Sequence, residues 1–113
     1  MEAKDIIDGQ LEAYRKRDLE GFLGFYSPKI VIKSGDGETL MGGLDAMRKS
    51  YGKSFAENPV AKVVIANRIV FGEFVIDEEL LTGFTKPGSP EEVRAVLIYR
   101  VRDELIAEVT LLN

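Results

Sequence analysis

Residues 75–84 read Val75-Ile76-Asp77-Glu78-Glu79-Leu80-Leu81-Thr82-Gly83-Phe84, and the way they alternate decides how the chain is laid out. Successive side chains of a strand point to opposite faces, so Phe74, Ile76, Glu78, Leu80, Thr82 and Phe84 share one of them. That face is apolar apart from Glu78. A carboxylate in such a row is costly to bury unless it is hydrogen-bonded or meets a ligand. It also holds its proton more tightly than an acid in water. The expectation is that Glu78 faces a cavity. A slip of one residue would turn Asp77 and Glu79 inward instead.

Neighbouring segments support a sheet. Residues 60–71, 92–102 and 105–112 read as further long strands, with tight turns at Gly72-Glu73 and Arg102-Asp103-Glu104 and a loop from Thr85 to Pro90. The bulkier apolar parity of the first is Val63, Ile65, Asn67, Ile69 and Phe71; in 92–102 it is Val93, Ala95, Leu97, Tyr99 and Val101. Each set carries one polar residue near its middle, Asn67 and Tyr99, level with Glu78. Three such groups on adjacent strands predict one polar spot in an apolar cup, the usual make-up of a small-molecule site. The other reading is a satisfied structural Asn–Glu–Tyr network.

Ahead of these strands, Ile6, Ile7, Gln10, Leu11 and Tyr14 recur at helical spacing over residues 2–16. Asp18 reads as the cap of a short second helix carrying Leu19, Phe22, Leu23 and Tyr26, stopped by Ser27-Pro28. A strand is expected at 29–34, and a third helix from about Leu44 to Ala56 with Leu44, Met47, Tyr51 and Phe55 on its apolar stripe. Helices gathered ahead of a run of long strands predict an α+β domain, one unit over 1–113, with helices on one sheet face. The strands are apolar at both parities, so the second face is expected to be covered by another copy of the chain. Outward candidates include Val64, Val70, Val96 and Ile98 among Lys62, Arg68, Arg94, Arg100, Asp77 and Glu79.

The chain of 113 residues contains no histidine, cysteine or tryptophan. Nucleophilic triads built on histidine and zinc sites built on histidine or cysteine are therefore excluded, and proton transfer falls to carboxylates, tyrosines and lysines. No metal or other cofactor is expected. The net charge of -4 argues against a nucleic-acid partner. No stretch has the length of a membrane span, and the acidic start MEAKDIIDGQ lacks a signal-peptide core, so the expected location is cytoplasmic and no membrane partner is expected.

QLEAYRKRDLEGFLGFYSPKIVI, MGGLDAMRKSYGKSF, NRIVFGEFVIDEELLTG and AVLIYRV together resemble the NTF2-like superfamily, and most closely its SnoaL-like and ketosteroid-isomerase-like bacterial members. The resemblance covers the whole chain. It implies a cystatin/NTF2-like cone of curved antiparallel sheet packed on three N-terminal helices, often dimeric, with a cavity at the open end. It does not bring the isomerase residues with it: Gln10, Ser34 and Leu97 stand where those enzymes carry their oxyanion-hole tyrosine, general-base aspartate and protonated acid. Where SnoaL-like relatives typically show a histidine and a tryptophan, this chain has Glu78 and Thr110.

The leading expectation is thus a protein that binds a small apolar molecule anchored by Glu78, Asn67 and Tyr99, with Tyr14, Tyr51, Leu97 and Phe55 also at the ligand, and that pairs with itself through its outer sheet face. One alternative is an enzyme, an isomerase, cyclase or lyase, with Glu78 as general base and Tyr99 or Tyr14 as the donor. The other is a dimeric scaffold without a ligand.

Overall fold

Helix α1 spans Ala3–Arg15 and buries Ile6, Ile7, Gln10 and Leu11, the stripe its spacing predicts. In this computed structural model, which describes residues 2–85 and 87–113, Met1 of the expected 1–113 unit and Lys86 of the expected Thr85–Pro90 loop lie outside the described residues. Arg17 adopts the left-handed conformation (φ 56°) and turns the chain. Asp18 then caps α2, Leu19–Leu23, its side chain accepting from the Gly21 N–H at 3.0 Å. This helix is shorter than its stripe suggests, because Tyr26 already begins strand β1, Tyr26–Ser34. Pro28, which has no N–H to give, sits where pairing with the neighbouring strand is interrupted. Strand β2 (Thr39–Gly42) and helix α3 (Leu44–Glu57) follow, then β3 (Lys62–Phe71), β4 (Phe74–Thr82), β5 (Glu92–Arg102) and β6 (Leu105–Leu112).

The six strands form one curved sheet in the order β2-β1-β6-β5-β4-β3, with the helices on its inner face. It is a mixed sheet rather than a purely antiparallel one. β1 and β6 run parallel, joined by a crossover that includes α3 and the four other strands, and the remaining pairs are antiparallel. Register breaks in β1, in β2 at Leu40, in β3 at Ala66 and in β6 at Ala107 supply the bends that curve it around the core. That core includes Ile7, Phe22, Ile30, Met47, Val75 and Ile106, all almost fully buried. No helix among the described residues is long and apolar enough to cross a membrane.

The β4 register is the slipped one. Val75, Asp77 and Glu79 are buried on the inner face, and Glu78 lies on the other. Polarity could not distinguish the two, since three acids stand in a row with apolar residues of both parities around them. β3 changes face midway. Ile65 pairs with Glu79 and Asn67 with Glu78, leaving Ala66 as the extra residue of a bulge. Before the bulge Val63 and Ile65 point inward; after it Arg68 does, opposite Asp77, while Asn67, Ile69 and Phe71 turn outward. The expected inward set of β3 therefore holds only for its first half. Arg68, Asp77 and Glu79 leave the expected outer set, and Val70 shares the parity of Arg68. The inner set of β5 is as read, with Ala95, Tyr99 and Val101 buried.

Candidate functional site

Between the helices and the inner sheet face lies a cavity of about 250 Å³. α1 contributes Gln10 and Tyr14 to its wall, α3 Tyr51, β1 Tyr26, β4 Glu79 and Leu81, and β5 Leu97 and Tyr99. Its lining is mostly apolar and aromatic. Among the described lining residues Glu79 is the sole acidic side chain, and none is a lysine or arginine.

A directed chain of hydrogen bonds ends on that acid. Tyr26 Oη donates to Gln10 Oε1 at 3.0 Å, Gln10 Nε2 donates to Tyr99 Oη at 3.5 Å, and Tyr99 Oη donates to Glu79 Oε2 at 3.3 Å. A phenol has one proton to give, so the Tyr26 hydroxyl is committed to Gln10 and the Tyr99 hydroxyl to the carboxylate. Glu79 Oε1 has no hydrogen-bond donor among the described residues. The hydroxyls of Tyr14 and Tyr51 also line the cavity without a hydrogen-bond partner among them. The site thus presents one carboxylate oxygen and two phenolic donors to whatever occupies it.

Burial raises the Glu79 pKa from 4.5 to about 7, with the nearby Asp77 charge adding to the rise; the Tyr99 hydrogen bond and the Arg68 and Arg15 charges oppose it. Burial likewise pushes Tyr51 up to about 12 and raises Tyr14, Tyr26 and Tyr99. The phenols therefore stay protonated donors at neutral pH. Glu79 alone among these groups titrates near it, as a proton-shuttling group should.

Of the residues singled out in the sequence, Tyr14, Tyr51, Leu97 and Tyr99 meet at this cavity. Phe55 stands behind it, its ring edge-on to Tyr14 with centroids 5.3 Å apart. Glu78 and Asn67 belong to the outer face: Asn67 Nδ2 donates to Glu78 Oε1 at 2.7 Å, and Arg94 pairs with Glu78 Oε2 at 3.4 Å. The slipped register removes Glu78 from the site and brings in Glu79. Gln10 and Tyr26 complete the chain. Gln10 was detectable as the one polar member of the α1 stripe; Tyr26 looked like an ordinary core aromatic. Ser34 lies at the end of β1 and hydrogen-bonds Asp36, outside the cavity. Among the described residues no group of three or more acids could hold a metal ion.

Residues 7–109 match the SnoaL-like domain family, which spans both the helices and the strands that build this cavity. The chain belongs to the SnoaL-like family. No curated protein is similar to this SnoaL-like chain by sequence. Solved structures share its fold. An uncharacterized cystatin-fold protein from Novosphingobium aromaticivorans superposes with a TM-score of 0.89 at 20% identity, covering 100% of this chain and 99% of that one. A putative polyketide cyclase from Sinorhizobium meliloti gives 0.78 at 18% identity, covering 95% and 93%. A hypothetical protein with a ketosteroid-isomerase-like fold from Catenulispora acidiphila, in complex with trimethylamine, gives 0.76 at 18% identity, covering 94% and 82%. At these identities the likeness concerns the fold.

Proposed function

We propose that this SnoaL-like chain acts as one domain that binds a small, largely apolar molecule in the cavity and moves a proton on it, with Glu79 as the general base. The observation that carries the reading is the Glu79 carboxylate, 5% exposed in an apolar cavity wall, with a pKa of about 7, sharing that wall with the Tyr14 and Tyr51 phenols, whose hydroxyls have no hydrogen-bond partner among the described residues. Such a group takes a proton from a carbon next to a carbonyl. The electron pair is left on the carbonyl oxygen as an enolate, which the Tyr14 and Tyr51 hydroxyls can hold by hydrogen bonds. Protonated Glu79 then returns the proton to a different carbon (an isomerisation), or the enolate carbon attacks a second carbonyl, whose π electrons move to its oxygen, and that alkoxide takes the proton back from Glu79 (a cyclisation). This transfers to Glu79 the role the sequence suggested for Glu78, and Tyr99 becomes the group that steadies the base. The fold is shared with a putative polyketide cyclase, which fits this reading.

The test uses 2-naphthol, an aromatic mimic of an enolate. Its binding to the wild type, followed by fluorescence, should change about tenfold per pH unit on one side of pH 7, and Glu79→Gln should flatten that dependence. An unchanged pH profile in Glu79→Gln would remove Glu79 from the site's chemistry.

We also propose that the outer sheet face pairs with a second copy of the chain. Val64, Ile69 and Phe71 are 56%, 61% and 77% exposed there, and apolar side chains gathered on one exposed face mark an interaction surface. The Asn67–Glu78–Arg94 cluster gives that face a polar centre that a two-fold mate can meet. A cytoplasmic location suits such a protein.

A further inference from the structure

Asp77 and Glu79 leave β4 on the same inner face, about 7 Å apart along the strand. Glu79 lines the cavity; Asp77 does not, and is 0% exposed. Both oxygens of Asp77 are taken by one guanidinium: Arg68 Nε to Oδ1 at 2.6 Å and Nη2 to Oδ2 at 2.9 Å. The remaining fork of Arg68, Nη1, reaches Asp8 Oδ1 on α1 at 2.6 Å. A buried ion pair is weak support for stability, since well-packed apolar residues often do as well or better. Its place beside the base calls for another reason. The bulge at Ala66 adds a second, independent observation. It turns β3 so that Ile65 faces Glu79 and Arg68 faces Asp77; unbroken alternation from Ile65 would have sent Arg68 outward. Bulges that re-aim side chains are over-represented next to active sites.

We propose that the Asp8–Arg68–Asp77 chain is a positioning device for Glu79, in which Asp77 keeps a second negative charge one pleat from the base and the Arg68 fork fixes that charge in place. Its purpose rests on the reading of Glu79 as a base; the electrostatic coupling itself does not. The charged and titratable groups that act on Glu79 are Arg15 on α1, Arg68 on β3, Asp77 on β4 and Tyr99 on β5, and the Glu79 charge in turn helps raise Tyr14 on α1, Tyr26 on β1 and Tyr51 on α3. Of these, Asp77 is the neighbouring carboxylate, so it is the one whose removal eases ionisation of Glu79. Arg68 acts twice, as a favourable charge for Glu79 and as the clamp on Asp77.

The experiment is a carbon-detected NMR titration of the Glu79 carboxyl in the full chain without ligand, comparing wild type with Asp77→Asn, Arg68→Lys and Asp8→Asn. Asp77→Asn should lower the midpoint by about one unit. Arg68→Lys, which keeps the charge but loses the fork, should also move it, and Asp8→Asn should move it less than either. A Glu79 midpoint in Asp77→Asn equal to that of the wild type overturns the proposal. If amide spectra show Asp77→Asn unfolded, Arg68→Lys decides in its place, and an unmoved midpoint there overturns the proposal equally. The pH profile of 2-naphthol binding, read on the same variants, separates the two ideas. A midpoint that shifts while the profile stays still supports the coupling and removes the proposed chemistry.

Discussion

Tyr99 on β5 donates its hydroxyl proton to Glu79 on β4 across 3.3 Å, with the two residues 3% and 5% exposed. This is the one hydrogen bond the Glu79 carboxylate receives among the described residues, so Tyr99 is the main local force keeping the acid ionisable. In Tyr99→Phe the opposing influence on the Glu79 pKa is lost, and its NMR midpoint should rise above the wild-type value of about 7. The same change leaves the buried Gln10 amide short of an acceptor, at a cost of about 1–3 kcal/mol in urea unfolding.

The raised pKa of Glu79 carries a stability signature of definite sign. Between pH 4.5, its ordinary value, and about 7, the folded protein keeps a proton that the unfolded chain has released. Stability therefore falls as pH rises through that window, by up to about 3 kcal/mol for this one group. The carboxyls with lowered values, Glu20, Asp36 and Glu73, titrate below the window and do not mask it. Glu79→Gln should flatten the slope and leave the protein more stable than wild type at pH 8; urea titrations at pH 5 and pH 8 provide the comparison.

Arg68→Ala strips the partner from a carboxylate with no access to solvent, so a loss of about 3–5 kcal/mol is expected. Replacing both members, Arg68→Met with Asp77→Leu, should cost far less, because no orphan charge remains. Thermal or urea unfolding of the two variants tests the difference.

Leu97 lines the cavity from the middle of β5. Leu97→Trp fills that space, and should abolish 2-naphthol binding while the fold survives an overpacking cost of about 1–3 kcal/mol. A circular-dichroism melt beside the binding isotherm distinguishes an occupied cavity from a broken fold.

On the outer face, Phe71→Glu combined with Ile69→Lys places charges where a second copy would sit. Light scattering should give a dimer for the wild type and a monomer for the double variant. A wild-type monomer at high concentration would end the pairing proposal.

The helices were largely legible because their apolar stripes repeat over several turns and have local stops: Ile6, Ile7, Gln10 and Leu11 are buried as their spacing requires. The β5 face was legible for the same kind of reason, since its alternation is unbroken from Val93 to Tyr99. β4 was not. Asp77, Glu78 and Glu79 are alike in polarity, so their register depends on what stands across from them. Asp77 is buried because Arg68 meets it, and Arg68 meets it because β3 bulges at Ala66.

The order of residues therefore determined the local elements, the apolar inventory of the core, and a chemistry limited to carboxylates and phenols, all properties of composition and short-range period. The tertiary structure alone decided which acid faces the cavity, that Gln10, Tyr26 and Tyr99 line up as successive donors to it, and that β1 and β6 lie parallel. Those outcomes depend on contacts between residues far apart in the chain. A face of a strand is chosen by the free energy of its partners across the sheet, and no window along one strand contains them.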